Sequence, residues 1–176
     1  MGEAGGPGHS PVTEVTEIRT AVITLSDKGS KGLRADESGP LAAQMLSSIG
    51  ARVLHYEMIP DDAGALKERL IGQSALVDLI ITTGSTGLGP RDIAPEATAA
   101  VIEREVPGIP EAMRAHGIKY TGRAMLSRGL AGTRGKCLII NLPGSPRAVR
   151  ECLEAVLEAI PHALQMIKGP CRDCAE

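Results

Sequence analysis

The stretch VDLIITTGSTGLGPRDIAPEAT, residues 77–98, joins a hydrophobic run to a helix-like pattern through a loop rich in glycine and hydroxyl residues. VDLIITT has the dense aliphatic and β-branched character of a buried strand. APEAT places Pro95 and Glu96 in a first helical turn, where the fixed φ of proline and the negative charge of glutamate both favour a helix. A strand that leads into a helix through a loop is the repeating unit of an α/β sheet.

The same order of strand and helix recurs along the chain. Strands are predicted at residues 18–26, 51–59, 77–83 and 136–143, and helices at residues 41–49, 60–73, 94–105 and 146–167. Pro161 should kink or split the last helix, because proline has no N–H to donate. Residues 106–132 predict one helix and a second, short one. The pattern predicts a single α/β domain with a mainly parallel sheet.

Composition narrows the classes of function. The 176 residues and the 43% hydrophobic fraction are typical of one globular domain, for which we predict residues 18–169, with a flexible leader over 1–17 and a tail over 170–176. The net charge of -2, the scattered basic residues and the near absence of aromatic residues argue against nucleic-acid binding. No apolar run reaches the ~18 residues of a membrane helix, and no signal peptide is evident, so we predict a cytoplasmic protein.

The four cysteines fall into two groups. Cys137 and Cys152 are flanked by core-type residues, which predicts buried free thiols. Cys171 and Cys174 form CRDC near the C-terminus, without a second cysteine pair or a strand-to-helix turn beside them. We interpret CRDC as an incidental pair, and a zinc or redox site is the alternative.

Polar segments follow all four predicted strands. Because the carboxyl ends of parallel strands share one edge of a sheet, and ligands bind at that edge, these segments predict a binding site. The residues expected there are Ser26, Asp27, Asp61, Asp62, Thr83, Ser85, Thr86, Arg91, Asp92, Asn141 and Ser145. The segments that precede the strands contain only ordinary turn residues, as in SALVD and TRGK.

The glycine loop favours a phosphate ligand, because its backbone offers N–H donors without side-chain bulk. It lacks the Gly-Lys-Ser/Thr ending of a Walker A motif, and Asp92 stands where the dinucleotide fingerprint has its third glycine, which excludes a Rossmann dehydrogenase. Carboxylates beside bound phosphate require a cation such as Mg²⁺, so Asp61 and Asp92 are candidate metal or acid/base residues. Alternatively, Asp61 caps a helix, and Asp92 caps the next helix or pairs with Arg91.

The motifs TLSDKGSKG, IPDD, TTGSTGLGPRDIAPEAT, AMLSRGLAG and LIINLPGSP resemble, in order and spacing, those of the MogA/MoaB molybdenum cofactor biosynthesis proteins. The resemblance covers residues 18–169, and the glycine loop is specific to this family and its relatives, including the gephyrin G domain. It implies a three-layer α/β sandwich, the MogA/MoaB-like molybdopterin-binding fold, usually assembled as a homotrimer. It also implies Mg²⁺-dependent transfer of AMP from ATP to molybdopterin, with a MoeA-like molybdenum-insertion protein acting downstream.

The resemblance further implies roles for individual residues. Asp61 and Asp92 correspond to the two catalytic aspartates of the family and are the candidate Mg²⁺ ligands. The nucleotide and pterin pocket is expected to include Ser26, Asp27, Thr83, Gly84, Ser85, Thr86, Gly87, Arg91, Asn141, Pro143, Gly144 and Ser145, with Ser127 and Arg128 on the pterin side.

One position departs from the family pattern, since the loop has GSTG where the family usually has GGTG. If this position adopts a positive φ, Ser85 carries strain of about 1 kcal/mol or more. Its hydroxyl group would alternatively serve as an added phosphate donor.

Two other functions are open. One is a MoaB-type protein that binds molybdopterin with little transferase activity, and the other is an oligomeric scaffold module like the gephyrin relatives. The retention of both aspartates, of PRD and of LPGSP favours the active enzyme.

Overall fold

The computed structural model describes residues 17–169. The leader predicted over residues 1–17, apart from Glu17, and the predicted tail with Cys171 and Cys174 lie outside these residues. The elements in chain order are β1 (Ile18–Leu25), α1 (Ser38–Ser47), β2 (Ala51–Ile59), α2 (Ala63–Ser74), β3 (Leu79–Thr83), α3 (Ala94–Ala99), β4 (Arg104–Glu105), α4 (Gly108–Ile118), a 3-10 helix (Gly122–Leu126), β5 (Ala131–Arg134), β6 (Cys137–Leu142), α5 (Pro146–Val156) and α6 (Ala159–Lys168).

The strands of residues 17–169 form one sheet in the order β2-β1-β3-β6-β5-β4. Strands β2, β1, β3 and β6 are parallel, whereas β5 is antiparallel to β6 and β4 is antiparallel to β5. The predicted mainly parallel sheet is therefore confirmed. No helix within the described residues is long and apolar enough to cross a membrane.

Helices cover both faces of the sheet. Alternate residues of a strand point to opposite faces, so Val22 packs in one core and Ile23 in the other. The first core includes residues of α1, α4, α5 and α6, and the second includes residues of α2 and α3. Both cores are filled by aliphatic residues, as a chain without Phe or Trp requires. The predicted three-layer sandwich is confirmed.

The helix predicted over residues 94–105 was wrong in its second half. Helix α3 ends at Ala99, and the chain continues into strand β4. The Glu103 N–H donates to the Thr133 carbonyl at 2.7 Å, and the Val106 N–H donates to the Ala131 carbonyl at 2.8 Å. These bonds pair the segment with β5, a four-residue strand that was also not predicted. Pairing with a distant segment overrides the local helical pattern.

The long C-terminal helix is divided, as predicted from Pro161. Helix α5 ends at Val156 and α6 begins at Ala159, so that Pro161 lies in the first turn of α6. Proline cannot donate to the carbonyl of Leu157, four residues earlier, and a first turn is where that missing N–H is tolerated.

Both described cysteines are free thiols, as predicted. Cys137 is buried and Cys152 is half-buried. Burial raises the pKa of Cys137 to about 12 and the pKa of Cys152 to about 11. Both side chains are therefore protonated at neutral pH and act as small apolar groups.

A buried carboxylate joins three elements at the edge of the sheet opposite the predicted site. Asp78 is 2% exposed and binds the guanidinium of Arg19 and, at 2.9 Å, the ammonium of Lys168 at the end of α6. The interpretation of SALVD as ordinary turn residues missed this role. Burial raises the pKa of Asp78, but the hydrogen bonds from Arg19 and Lys168 outweigh it and lower the pKa to about 2.

We expect Asp78→Asn to destabilise the protein in a pH-dependent way. The folded pKa lies below the ordinary value of 3.8, so the ionised carboxylate stabilises the fold above that pH and loses its effect as the pH falls towards 2. The difference in unfolding free energy between wild type and variant should shrink by up to about 2 kcal/mol between pH 6 and pH 2, since both cations are partly exposed. Urea unfolding of both proteins at pH 6 and at pH 2 measures this difference in free energy.

Glu17→Gln is the matched control, because Glu17 and Arg52 form an ion pair with both side chains largely exposed. It should have no measurable effect at either pH. An Asp78→Asn difference that stays constant with pH would contradict the role assigned to the carboxylate.

Candidate functional site

The loops that follow β1, β2, β3 and β6 surround a cavity of about 340 Å³ at the carboxyl edge of the parallel strands. Residues from all four loops line it. Those expected at the site from the sequence are Ser26, Asp61, Gly84, Ser85, Asp92, Gly144 and Ser145. Four segments that are distant in the chain thus contribute to one cavity, as the parallel topology predicts.

Asp61 is not the cap of helix α2. That role belongs to Asp62, whose carboxylate accepts a hydrogen bond from the Ala65 N–H at 2.7 Å. Asp61 Oδ2 instead accepts from the Asp27 N–H at 3.1 Å, and the Asp61 N–H donates back to Asp27 Oδ1 at 3.1 Å. Within the described residues, Oδ1 of Asp61 accepts no hydrogen bond. This carboxylate oxygen is available to a ligand in the cavity.

Asp92 neither caps a helix nor pairs with Arg91. The N-cap position of α3 is Ile93, and Arg91 forms its ion pair with Asp27. Asp92 Oδ2 accepts a hydrogen bond from the Gly89 N–H at 2.8 Å, which folds the carboxylate back into its own loop. Since Asp92 lines the same cavity as Asp61, the structure brings the two predicted catalytic residues together.

Neighbouring oxygen atoms leave no room for a Cβ at three glycines of the loop. Gly84 has a φ of 93°, and a Cβ there would lie 2.6 Å from the Leu25 carbonyl oxygen. A Cβ on Gly87 or Gly89 would lie 2.9 or 2.8 Å from Asp92 Oδ2. Two glycines therefore make room for the Asp92 carboxylate, and one lets the loop pass over β1.

Ser85 has a positive φ of 59°, which is the condition under which the GSTG sequence implies backbone strain. Its hydroxyl group donates to the Arg91 carbonyl at 3.2 Å and accepts from the Ile93 N–H at 2.9 Å. These bonds join the start of the loop to its end, which offsets the backbone strain. The hydroxyl proton is used within the loop, which favours a structural role for Ser85 over phosphate donation.

Three predicted site residues lie beneath the cavities and line neither of them. Thr83 is fully buried, and its hydroxyl group bonds with those of Ser38 and Thr24. Asn141 is 1% exposed and donates from Nδ2 to the hydroxyl groups of Thr82 and Thr98. Thr86 is buried as well. The Asn141 side chain thus joins β6 to β3 and α3, and the Thr83 hydroxyl group joins β3 to β1 and α1.

Arg128 binds two backbone carbonyl groups of the glycine loop. Its Nε donates to the Gly87 carbonyl at 2.7 Å and its Nη2 to the Asp92 carbonyl at 2.9 Å. Its guanidinium also forms an ion pair with Glu96, which lowers the pKa of that carboxyl group. Arg128 and Gly87 line neither cavity, so within the described residues Arg128 contacts the loop that carries Asp92.

A second cavity of about 250 Å³ lies between α4, the 3-10 helix and α5. Its walls are mainly apolar and include Met113 and Ala124. The predicted residues Ser127 and Pro143 line this cavity, and Ser145 lines both. The two cavities therefore adjoin at the N-terminus of α5.

The loop between β1 and α1 adds residues that the sequence interpretation missed, among them Arg34, Asp36 and Glu37. Asp36 accepts from the backbone N–H groups of Ser38 and Gly39 and from the hydroxyl group of Tyr56. Burial and the contact with Asp36 raise the pKa of Tyr56 to about 12. The DES sequence before the helix is a capping signal that could have identified Asp36.

The charge of the first cavity fits a divalent cation that arrives with a phosphate ligand. Among residues 17–169, four carboxylates line it, from Asp36, Glu37, Asp61 and Asp92, against the one guanidinium of Arg34. Residues 17–169 contain no cluster of three or more His, Cys, Asp or Glu that could hold a metal alone. Mg²⁺ commonly binds to one or two carboxylates and completes its shell with water and phosphate oxygens. Asp61 and Asp92 fit this kind of site.

Comparison with known proteins agrees with this geometry. The family model described as "Probable molybdopterin binding domain" matches residues 21–162. The chain belongs to the molybdopterin binding domain family.

Relatives of this molybdopterin binding domain protein include named enzymes. The molybdopterin adenylyltransferase of Helicobacter pylori (strain J99) is 44% identical over 156 residues, which cover 86% of this chain and 89% of that protein. The molybdopterin adenylyltransferase of Escherichia coli (strain K12) is 34% identical over 172 residues, which cover 87% of each chain. The crystal structure of the molybdopterin biosynthesis enzyme MoaB from Thermus thermophilus has a TM-score of 0.80 at 47% identity, covering 86% of this chain and 97% of that one.

The glycine contacts of this molybdopterin binding domain lead to a prediction. Gly89→Ala places a Cβ against Asp92 Oδ2, so we expect the Asp92 carboxylate to move and amide exchange across residues 86–92 to accelerate. The melting temperature should change little, because the loop lies outside both cores. Hydrogen–deuterium exchange with mass spectrometry measures the first effect and calorimetry the second.

Gly72→Ala is the matched control, since a Cβ at this position of α2 has open space around it. It should leave exchange in the loop unchanged and stabilise the helix by about 1 kcal/mol. Wild-type exchange across residues 86–92 in Gly89→Ala would contradict the explanation of this glycine.

Proposed function

We propose that this protein transfers AMP from Mg²⁺-bound ATP to molybdopterin, giving adenylylated molybdopterin and pyrophosphate. The relatives named molybdopterin adenylyltransferase support the reaction class. The observation that carries the proposal is the presence of Asp61 and Asp92 in one cavity beside the glycine loop, with neither aspartate used as a helix cap.

The reaction brings several negative charges together. An oxygen of the terminal phosphate of molybdopterin forms a bond to the α-phosphorus of ATP, while the bond from that phosphorus to the pyrophosphate oxygen breaks. Asp61 and Asp92 would hold Mg²⁺, which would supply positive charge to offset the charge on the phosphate oxygens. The aspartates themselves orient the reacting groups and balance the cation.

Backbone dipoles support the same placement of the phosphates. Helix α5 begins at Pro146 in the wall of the first cavity, with Ser145 as its N-cap. The N-terminus of a helix carries partial positive charge and favours an anion. We place the phosphates of ATP between this helix start and residues 84–87.

The second cavity is the proposed site of the pterin ring system. Its apolar walls suit a flat heterocycle, and Ser127 provides a hydroxyl group. Because Ser145 lines both cavities, a molecule in the second can extend its phosphate into the first. This arrangement supports direct transfer between two substrates bound side by side.

The homotrimer and the downstream MoeA-like partner stay predictions from the resemblance, and the cytoplasmic location stays a prediction from the sequence. An interface between copies finds support in a group of exposed apolar side chains on α4 and the 3-10 helix and in the turn between them: Ile118, Tyr120, Met125 and Leu126. Light scattering of the full chain gives its mass in solution.

We expect Asp61→Asn and Asp92→Asn each to lower the rate of transfer by about 100-fold or more, because each removes a charge aligned with the reacting phosphates. Asparagine keeps an oxygen that can accept from the N–H of Asp27 or Gly89, which preserves the loops. The measurement is ATP- and Mg²⁺-dependent pyrophosphate release in the presence of molybdopterin.

Asp62→Asn is the control, because asparagine caps a helix as well as aspartate does and Asp62 lines neither cavity. Its rate should match the wild type. Wild-type protein that binds molybdopterin without releasing pyrophosphate would instead support the MoaB-type binding protein.

A further inference from the structure

Asp27 connects the two proposed catalytic aspartates. Its backbone N–H donates to Asp61 Oδ2, and its Oδ1 accepts from the Asp61 N–H, both at 3.1 Å. The same carboxylate accepts from Arg91 Nε at 3.0 Å and Nη2 at 2.7 Å. Since Arg91 directly precedes Asp92, one side chain bridges the segments that carry Asp61 and Asp92.

The bridge uses both carboxylate oxygens of Asp27 and two N–H donors of Arg91. Neither residue lines the first or the second cavity. The guanidinium of Arg91 presents two donors to the two oxygens of Asp27, the parallel geometry that makes such pairs specific as well as strong. Partial desolvation raises the pKa of Asp27, but the bonds to Asp61 and Arg91 outweigh it and lower the pKa, which keeps the carboxylate ionised.

The glycine loop needs external anchors of this kind. Gly84, Gly87 and Gly89 add backbone freedom, and Ser85 holds a positive φ that is unfavourable for serine. Arg128 fixes the carbonyl groups of Gly87 and Asp92 from one side. The Arg91–Asp27 pair is a second anchor, and it joins the loop to Asp61.

We propose that Asp27 is a positioning residue that sets the separation of Asp61 and Asp92 through its bonds to Asp61 and Arg91. This rests on the proposed function, and it assigns Asp27 and Arg91 to the alignment of the two aspartates in place of contact with the substrates. A rigid separation matters because reacting groups displaced by about 1 Å lose as much as 100-fold in rate.

A double-mutant cycle tests the proposal on the full chain. Asp27→Ala and Arg91→Ala should each lower kcat by about 10- to 100-fold with only small changes in the KM for ATP, and the double variant should be no slower than the slower single variant. Asp27→Asn keeps an acceptor for the Asp61 N–H and should recover part of the loss. Effects that multiply in the double variant would show that the two residues act independently, and effects that fall on KM would show direct ligand contacts. Either result would overturn the proposal.

Hydrogen–deuterium exchange of the substrate-free protein gives a readout that does not depend on activity. Asp27→Ala should accelerate exchange in residues 84–93 and in residues 60–62 together. Arg69→Ala is the control, because it breaks an ion pair with Glu57 whose N–O distance is 2.8 Å. Neither residue lines the first or the second cavity, so exchange in both segments should stay unchanged. Unchanged exchange in Asp27→Ala would overturn the bridge. Absent transferase activity in the wild type would refute the proposed function alone, since the exchange result still decides the role of Asp27.

Discussion

The site depends on how closely three loops approach one another above the parallel strands. Gly84 passes over the Leu25 carbonyl at a distance that leaves no room for a side chain, and a Cβ on Gly144 would lie 3.2 Å from the Gly84 Cα. The loops after β1, β3 and β6 are therefore in contact at this point. Because these three loops pack so closely, Asp92 and the start of α5 line the same cavity.

This close packing gathers negative charge that the protein itself balances only in part. Asp27 is neutralised by Arg91, Glu96 by Arg128, and Asp36 is held by backbone N–H groups. Asp61 and Asp92 receive single N–H donors and no cation from the described residues. The uncompensated charge lies where the proposed reaction requires a metal ion and phosphate, whereas the charge of the surrounding residues holds the loops in place.

The sequence was sufficient to predict the parallel strands and the convergence of their loops, because hydrophobic runs and topology determine both. It also identified Ser85 as a residue that carries strain if its φ is positive, which the structure shows it to be. Strand β4 could not be predicted, since it has two residues and forms by pairing with the distant β5. Strand β5 was missed because it has only four residues, although it pairs with the adjacent β6. The sequence left open whether Asp61 caps a helix, and the hydrogen bond from the Ala65 N–H assigns that role to Asp62. The hydrogen bond from Asn141 to Thr98 could not be predicted either, because tertiary packing brings these two residues together.

A crystal structure with Mg²⁺ and a non-hydrolysable ATP analogue tests the central claim most directly. The account predicts phosphates along residues 84–87, with the metal ion between the carboxylates of Asp61 and Asp92. Phosphates bound away from the glycine loop, or a metal ion that contacts neither aspartate, would contradict it.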